Sequence, residues 1–79
     1  MMRPEDFQRL VDQFRQRHPF QPFVIVLDSD ERIVIEDLDQ FRCWLGSADY
    51  CDRNLEMYFV DAEEVAEVVE HTPVGSPQS

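Results

Sequence analysis

The sequence predicts a mainly β protein, one N-terminal α-helix followed by a small five-stranded antiparallel barrel. Three observations lead to that class. An amphipathic stretch over residues 4–17 stops at Pro19, and two β-branched runs then flank the acidic turn "DSDE". Two further alternating runs precede an acidic-aliphatic ending. With 79 residues there is room for one domain, residues 1–70, with the barrel over 22–70 and a frayed tail over 71–79. A chain of this length buries only about 60% of its unfolded surface, so its core must be compact or completed by association.

The helix is read from its ends and its stripe. Pro4 suits the first helical position, where its missing N–H costs nothing. Glu5 and Asp6 in the first turn and Arg15 and Arg17 in the last match the helix dipole. Phe7, Leu10, Val11 and Phe14 fall on one face, and Pro19 excludes a further turn. In "RHPFQPF" the second proline, Pro22, stiffens the entry to a strand, where an edge tolerates its missing donor.

Phe23, Ile25 and Leu27 alternate with Val24 and Val26, and Ile33 and Ile35 with Val34. Apolar residues on both faces imply a hairpin covered twice, by the rest of the sheet and by the helix. "FRCWL" predicts a third strand with Phe41, Cys43 and Leu45 inward and Arg42 and Trp44 outward. "GSADYCDRN", residues 46–54, reads as the longest loop. "LEMYFV" predicts a fourth strand with Leu55, Met57 and Phe59 on the core face and Tyr58 and Val60 opposite. "DAEEVAEVVE" admits two readings. A helix capped by Asp61 with Glu64 three residues on would give an α+β fold, residues 61–70 lying on a four-stranded sheet. The expectation taken here is a 3-10 turn over 61–65 and a short closing strand over 66–70, because so short a helix is marginal alone.

The net charge is −10, and it is uneven: residues 1–18 carry +1 and the remainder −11. Such a surface repels phosphate backbones and anionic membranes. It suits a basic protein partner, and equally a well-solvated surface. No apolar run approaches the ~20 residues of a membrane span, and "MMRPEDF" lacks a signal-peptide core, so a cytoplasmic setting is expected.

Candidate chemistry is sparse. Cys43, Cys51, His18 and His71 are the soft ligand candidates, but seven residues between the cysteines do not match structural zinc spacing. Cys43 is expected in the core, where a thiol packs as a small apolar group. Asp28, Asp30, Glu31, Glu36, Asp37 and Asp39 lack the calcium-loop pattern and read as turn chemistry. Neither catalytic residues nor a cofactor or metal site is expected. Trp44 and Tyr58, placed opposite the predicted core, lie under the helix or form a contact surface. Tyr50, Asp30 and Glu31 join them as candidate protein-contact residues.

Pro19-Phe20-Gln21-Pro22-Phe23, with Ile25, Leu27 and the ending Val65 to Glu70, resembles a group of short bacterial proteins common in planctomycetes that carry a PFxPF motif. The likeness spans roughly residues 7–70. It departs in the turn, where "DSDE" replaces the usual Asp-Gly, and after the second strand, where "EDLDQF" replaces a His-Pro pair. It implies a fold and no activity. The element order also looks like the Sm or SH3 type of barrel, and fold does not fix function.

These readings converge on a non-catalytic protein-interaction module, self-association through a barrel edge or through Trp44 and Tyr58 being one form of it. An acidic mimic of nucleic acid, binding a basic groove through the hairpin and the "DAEE" segment, is the alternative. Sm-like RNA binding would require Arg3, Arg9, Arg15 and Arg17 to cluster, against a charge of −10.

Overall fold

The computed structural model describes residues 1–71, and the predicted tail from residue 72 lies outside them. Helix α1 (Pro4–Arg15) is followed by β1 (Phe23–Leu27), β2 (Arg32–Ile35), β3 (Phe41–Trp44), β4 (Ser47–Cys51), β5 (Met57–Asp61), a 3-10 turn (Ala62–Glu64) and β6 (Val65–Glu70). The strands form two antiparallel three-stranded sheets, ordered β2-β1-β6 and β3-β4-β5. The expected helix, mainly β character, 3-10 turn and closing strand are present.

Several expectations are corrected. Among the described residues there are six strands in two sheets, not five in one closed barrel. Residues 36–40 and the 3-10 turn carry the chain between the sheets without a shared ladder. The α+β alternative fails because residues 65–70 pair with β1 along their length. The expected loop over 46–54 contains β4. Leu45, expected inward, is a turn residue, and the faces of β5 are reversed: Val60 is buried, whereas Leu55, Met57 and Phe59 are exposed.

α1 forms where the apolar spacing placed it. Phe7 and Val11 are fully buried, Phe14 is buried, and Leu10 is partly so. The helix does not cover the reverse of the hairpin. Its stripe enters the same core as Phe23, Ile25, Ile33 and Ile35 of the first sheet and Phe41, Ala48, Tyr50 and Val60 of the second. Phe14 stacks on Phe23 at 5.1 Å, Phe23 meets Phe41 edge-on at 5.7 Å, and Tyr50 and Tyr58 continue the line at 6.3 Å steps. Phe20 packs edge-on against Phe23 at 6.3 Å, so both phenylalanines of the Pro-Phe pairs serve this junction. Val24 and Val26 are buried outside that cluster, with Val34 and Val69 beside Val24 in register and Arg32 and Glu67 beside Val26.

The β1–β2 hairpin closes without glycine. Asp30 N–H donates to the Leu27 carbonyl (2.9 Å), Leu27 N–H donates to the Glu31 carbonyl (2.8 Å), and Asp30 takes φ 75°. That is a three-residue loop with its last residue left-handed, a conformation aspartate tolerates. In β6, Val65 pairs with Leu27 and Glu67 with Val26, so Ala66 is an extra residue. This bulge lets Val65 and Val68, three apart, both face the core.

Candidate functional site

Helix and second sheet meet along a groove of about 790 Å³, lined by Pro4, Gln8, Arg9 and Asp12 on one wall and Trp44 and Leu45 on the other. Its floor is fixed by a reciprocal pair. Gln8 Nε2 donates to the Cys43 carbonyl (3.3 Å) and to Asp12 Oδ1 (3.2 Å), while the Cys43 thiol donates to Gln8 Oε1 (3.6 Å). Burial pushes the Cys43 thiol up to about 11, Arg15 opposing and Asp12 adding to the shift. At neutral pH it is therefore a protonated packing group and not a thiolate nucleophile.

The Trp44–Leu45–Gly46–Ser47 turn builds the outer wall. Leu45 has φ 50° and Gly46 φ 84°, the two positive values a two-residue hairpin of type I′ needs. Gly46 is required twice over, because a Cβ there would stand 2.5 Å from Pro4 Cβ and 2.9 Å from Pro4 Cα. The Gly46 carbonyl accepts from Ala62 N–H (2.8 Å), and the Ala62 carbonyl accepts from Met2 N–H (3.1 Å). Helix start, hairpin turn and 3-10 turn are thus stitched together, and Trp44 and Leu45 are held at the surface.

Exposure across the second sheet and its turns is unusual. Trp44 is 52% exposed, Leu45 88%, Leu55 81%, Met57 56% and Phe59 73%. Leu45 and Leu55 are also left-handed, Leu55 with φ 67°. A leucine in that region costs about 1–2 kcal/mol relative to an ordinary backbone. Two leucines that break both the burial and the backbone preference mark positions where local rules yield to something else.

The loop carrying Leu55 is organised by Asp52. Its Oδ1 accepts from Asn54 N–H (2.8 Å) and Glu56 N–H (3.0 Å), and its Oδ2 accepts from the Tyr58 hydroxyl (3.1 Å). The Glu56 amide above all, then the Asn54 amide and the Tyr58 hydroxyl, hold the Asp52 carboxyl below its ordinary 3.8, desolvation opposing. In return the bond to Asp52 raises the Tyr58 phenol.

Of the expected contact residues, Trp44 is on the surface and Asp30 and Glu31 are exposed in their turn. Trp44 and Tyr58 are not brought together: Trp44 points outward from the second sheet, and Tyr58 packs partly buried against the core. Tyr50, 4% exposed, is a core residue whose hydroxyl accepts from Glu36 N–H (3.4 Å), so it leaves the contact set; burial raises its phenol. Sequence reasoning missed Leu45, Leu55, Met57 and Phe59. A signal for Leu45 was present, namely a glycine-containing dipeptide between two alternating runs.

Among the described residues no three His, Cys, Asp or Glu side chains converge as metal ligands, and no helix is long and apolar enough to cross a membrane. The molecule belongs to the broad class of small, mainly β domains with one N-terminal helix and two three-stranded antiparallel sheets. No family model, curated protein or solved structure matches the chain.

Proposed function

We propose that the chain is a non-catalytic protein-interaction module acting in the cytoplasm, and that the α1–β3 groove is its docking surface. The observation that carries this reading is the pairing of half-exposed Trp44 with the exposed, left-handed Leu45 at the rim of that groove. Tryptophan is the residue most enriched where a few side chains supply most of the binding energy. The partner is a protein segment that inserts an apolar side chain beside Trp44 and carries basic residues toward a chain of charge −10. Nucleic acid and anionic membrane are poor partners on the same ground. Arg9, Arg15 and Arg17 support this, each lying within 3.4 Å of a carboxylate of Asp6, Asp12 or Glu70. The shared core and the short 3-10 link between β5 and β6 further support reading the two sheets as halves of a small barrel of the Sm or SH3 type. On this reading the chain is one of the short bacterial proteins with a PFxPF motif, on the strength of Pro19-Phe20-Gln21-Pro22-Phe23.

Affinity capture with the wild type and a Trp44→Ala/Leu45→Asn variant tests the groove. Asparagine suits the left-handed turn position, so the variant keeps its fold, checked by melting, and loses the captured protein. Equal capture by both proteins, or none by the wild type, discards the reading.

A second reading is supported by one placement. Asp28 N–H donates to the Glu64 carbonyl at 2.7 Å, which sets the acidic hairpin beside Glu63 and Glu64. Such an end could occupy a basic groove in place of a nucleic-acid backbone. Its mark is competition with duplex DNA for a polyarginine peptide, abolished by about 0.5 M salt. Competition that survives that salt excludes it.

A further inference from the structure

β5 is an edge strand whose hydrogen-bonding phase can be read from the turn. The two-residue loop makes Trp44 and Ser47 a hydrogen-bonded pair, so Ser47, Asp49 and Cys51 direct their backbone groups to β3. The bond from Cys51 N–H to the Gln40 carbonyl (3.1 Å) follows that phase. Ala48 and Tyr50 then face β5, where they pair with Val60 and Tyr58. The N–H and C=O groups of Met57, Phe59 and Asp61 consequently point away from β4, along an edge with no neighbouring strand among the described residues. Beside this open ladder stand the exposed side chains of Leu55, Met57 and Phe59.

We infer that this edge binds a second copy of the chain, the two β5 strands running antiparallel about a two-fold axis at Phe59. Centred there, Phe59 faces the partner's Phe59, Met57 faces the partner's Asp61, and Asp61 faces the partner's Met57. All three are residues whose backbone groups point outward, so each pair exchanges two hydrogen bonds and the whole strand is used. The charge pattern fits a second copy of a strongly anionic chain. Met57 to Val60 carry no charge, Asp61 meets a methionine, Glu56 meets the partner's Ala62, and no carboxylate is set against another. Asp61 is moreover turned along its own sheet, accepting from Ser47 Oγ (2.9 Å). A five-residue edge with two exposed apolar side chains falls short of the ~800 Å² per partner of a standard interface, which makes this a weak dimer.

The inference deepens the self-associating form of the interaction reading and uses a different surface from the groove, so the two can fail separately. Sedimentation of the full chain from about 10 µM to about 1 mM should show the mass rising from monomer toward dimer. The rise should be steeper at about 0.5 M than at about 0.05 M salt, because screening relieves the repulsion of like charges. Phe59→Lys lowers the net negative charge yet blocks the edge. It should weaken association by about tenfold or more with unchanged melting, whereas Trp44→Ala/Leu45→Asn should leave association intact. Amide exchange gives a second readout, with Met57, Phe59 and Asp61 slowing as concentration rises. A constant monomer mass, undiminished association of Phe59→Lys, or oligomers beyond the dimer overturn the proposal. So does protection of those amides at every concentration.

Discussion

Gly46 concentrates three constraints in one residue: a positive φ, a 2.5 Å approach to Pro4 and a carbonyl that holds Ala62. Gly46→Ala must either push the start of α1 off the hairpin or break the turn. The left-handed penalty and the steric one add to a loss of about 2–4 kcal/mol, read from urea unfolding. A loss under about 0.5 kcal/mol would mean that the helix start is not seated on the turn. What the residues disclosed in advance depends on their chemistry. The stripe of Phe7, Val11 and Phe14 was legible because only one helix face carries it. Alternation in "FRCWL" carries Leu45 to the core face after Phe41 and Cys43, and alternation alone does not register that the next residue is the glycine of a two-residue turn.

Elements were legible where one period dominated. β1 and β2 came from alternation, but β4 was hidden because "SADYC" is rich in turn-forming residues and poor in β-branched ones. Alternation in β5 gave two faces without saying which is inner, and the greasier face proved to be the outer one. In β6 the spacing of Val65, Val68 and Val69 imitates a helix, and the bulge at Ala66 reconciles it with a strand. The helix itself is tested at Phe7. This ring is fully buried among both sheets, so Phe7→Ala should cost about 3–5 kcal/mol, much of the stability of a small domain. Unfolding unchanged within about 1 kcal/mol would make α1 an appendage. The Asp52 loop gives a pH test with a definite sign. Its folded carboxyl lies below the ordinary 3.8, so its contribution is complete above that pH and is lost as pH falls through the lower folded value. The Asn54 and Glu56 amide signals should shift together in that acid window and be displaced at neutral pH in Asp52→Ala. Signals unmoved down to about pH 1 would show that the carboxylate does not hold the loop.

For the whole molecule, the decisive quantity is the ratio of its size to the reach of its charges. The described residues span 38 × 25 × 24 Å and the chain carries −10, while its ion pairs are exposed and contribute about 0–1 kcal/mol each. At about 0.01 M salt the Debye length is about 30 Å, so nearly every carboxylate repels every other. At about 0.15 M it is about 8 Å, and only neighbours interact. Repulsion summed over the molecule therefore fades across that range while the apolar core is untouched. The melting temperature should rise by about 5 °C between those two salts, equivalent to roughly 1 kcal/mol for a domain of this size, and then level off. Thermal melts at fixed low protein concentration separate this from dimer formation, which would make the melting temperature depend on concentration as well. A melting temperature that falls with salt would reverse the balance. The surface ion pairs would then outweigh the repulsion, and the excess negative charge would not be the term that limits the stability of so small a core.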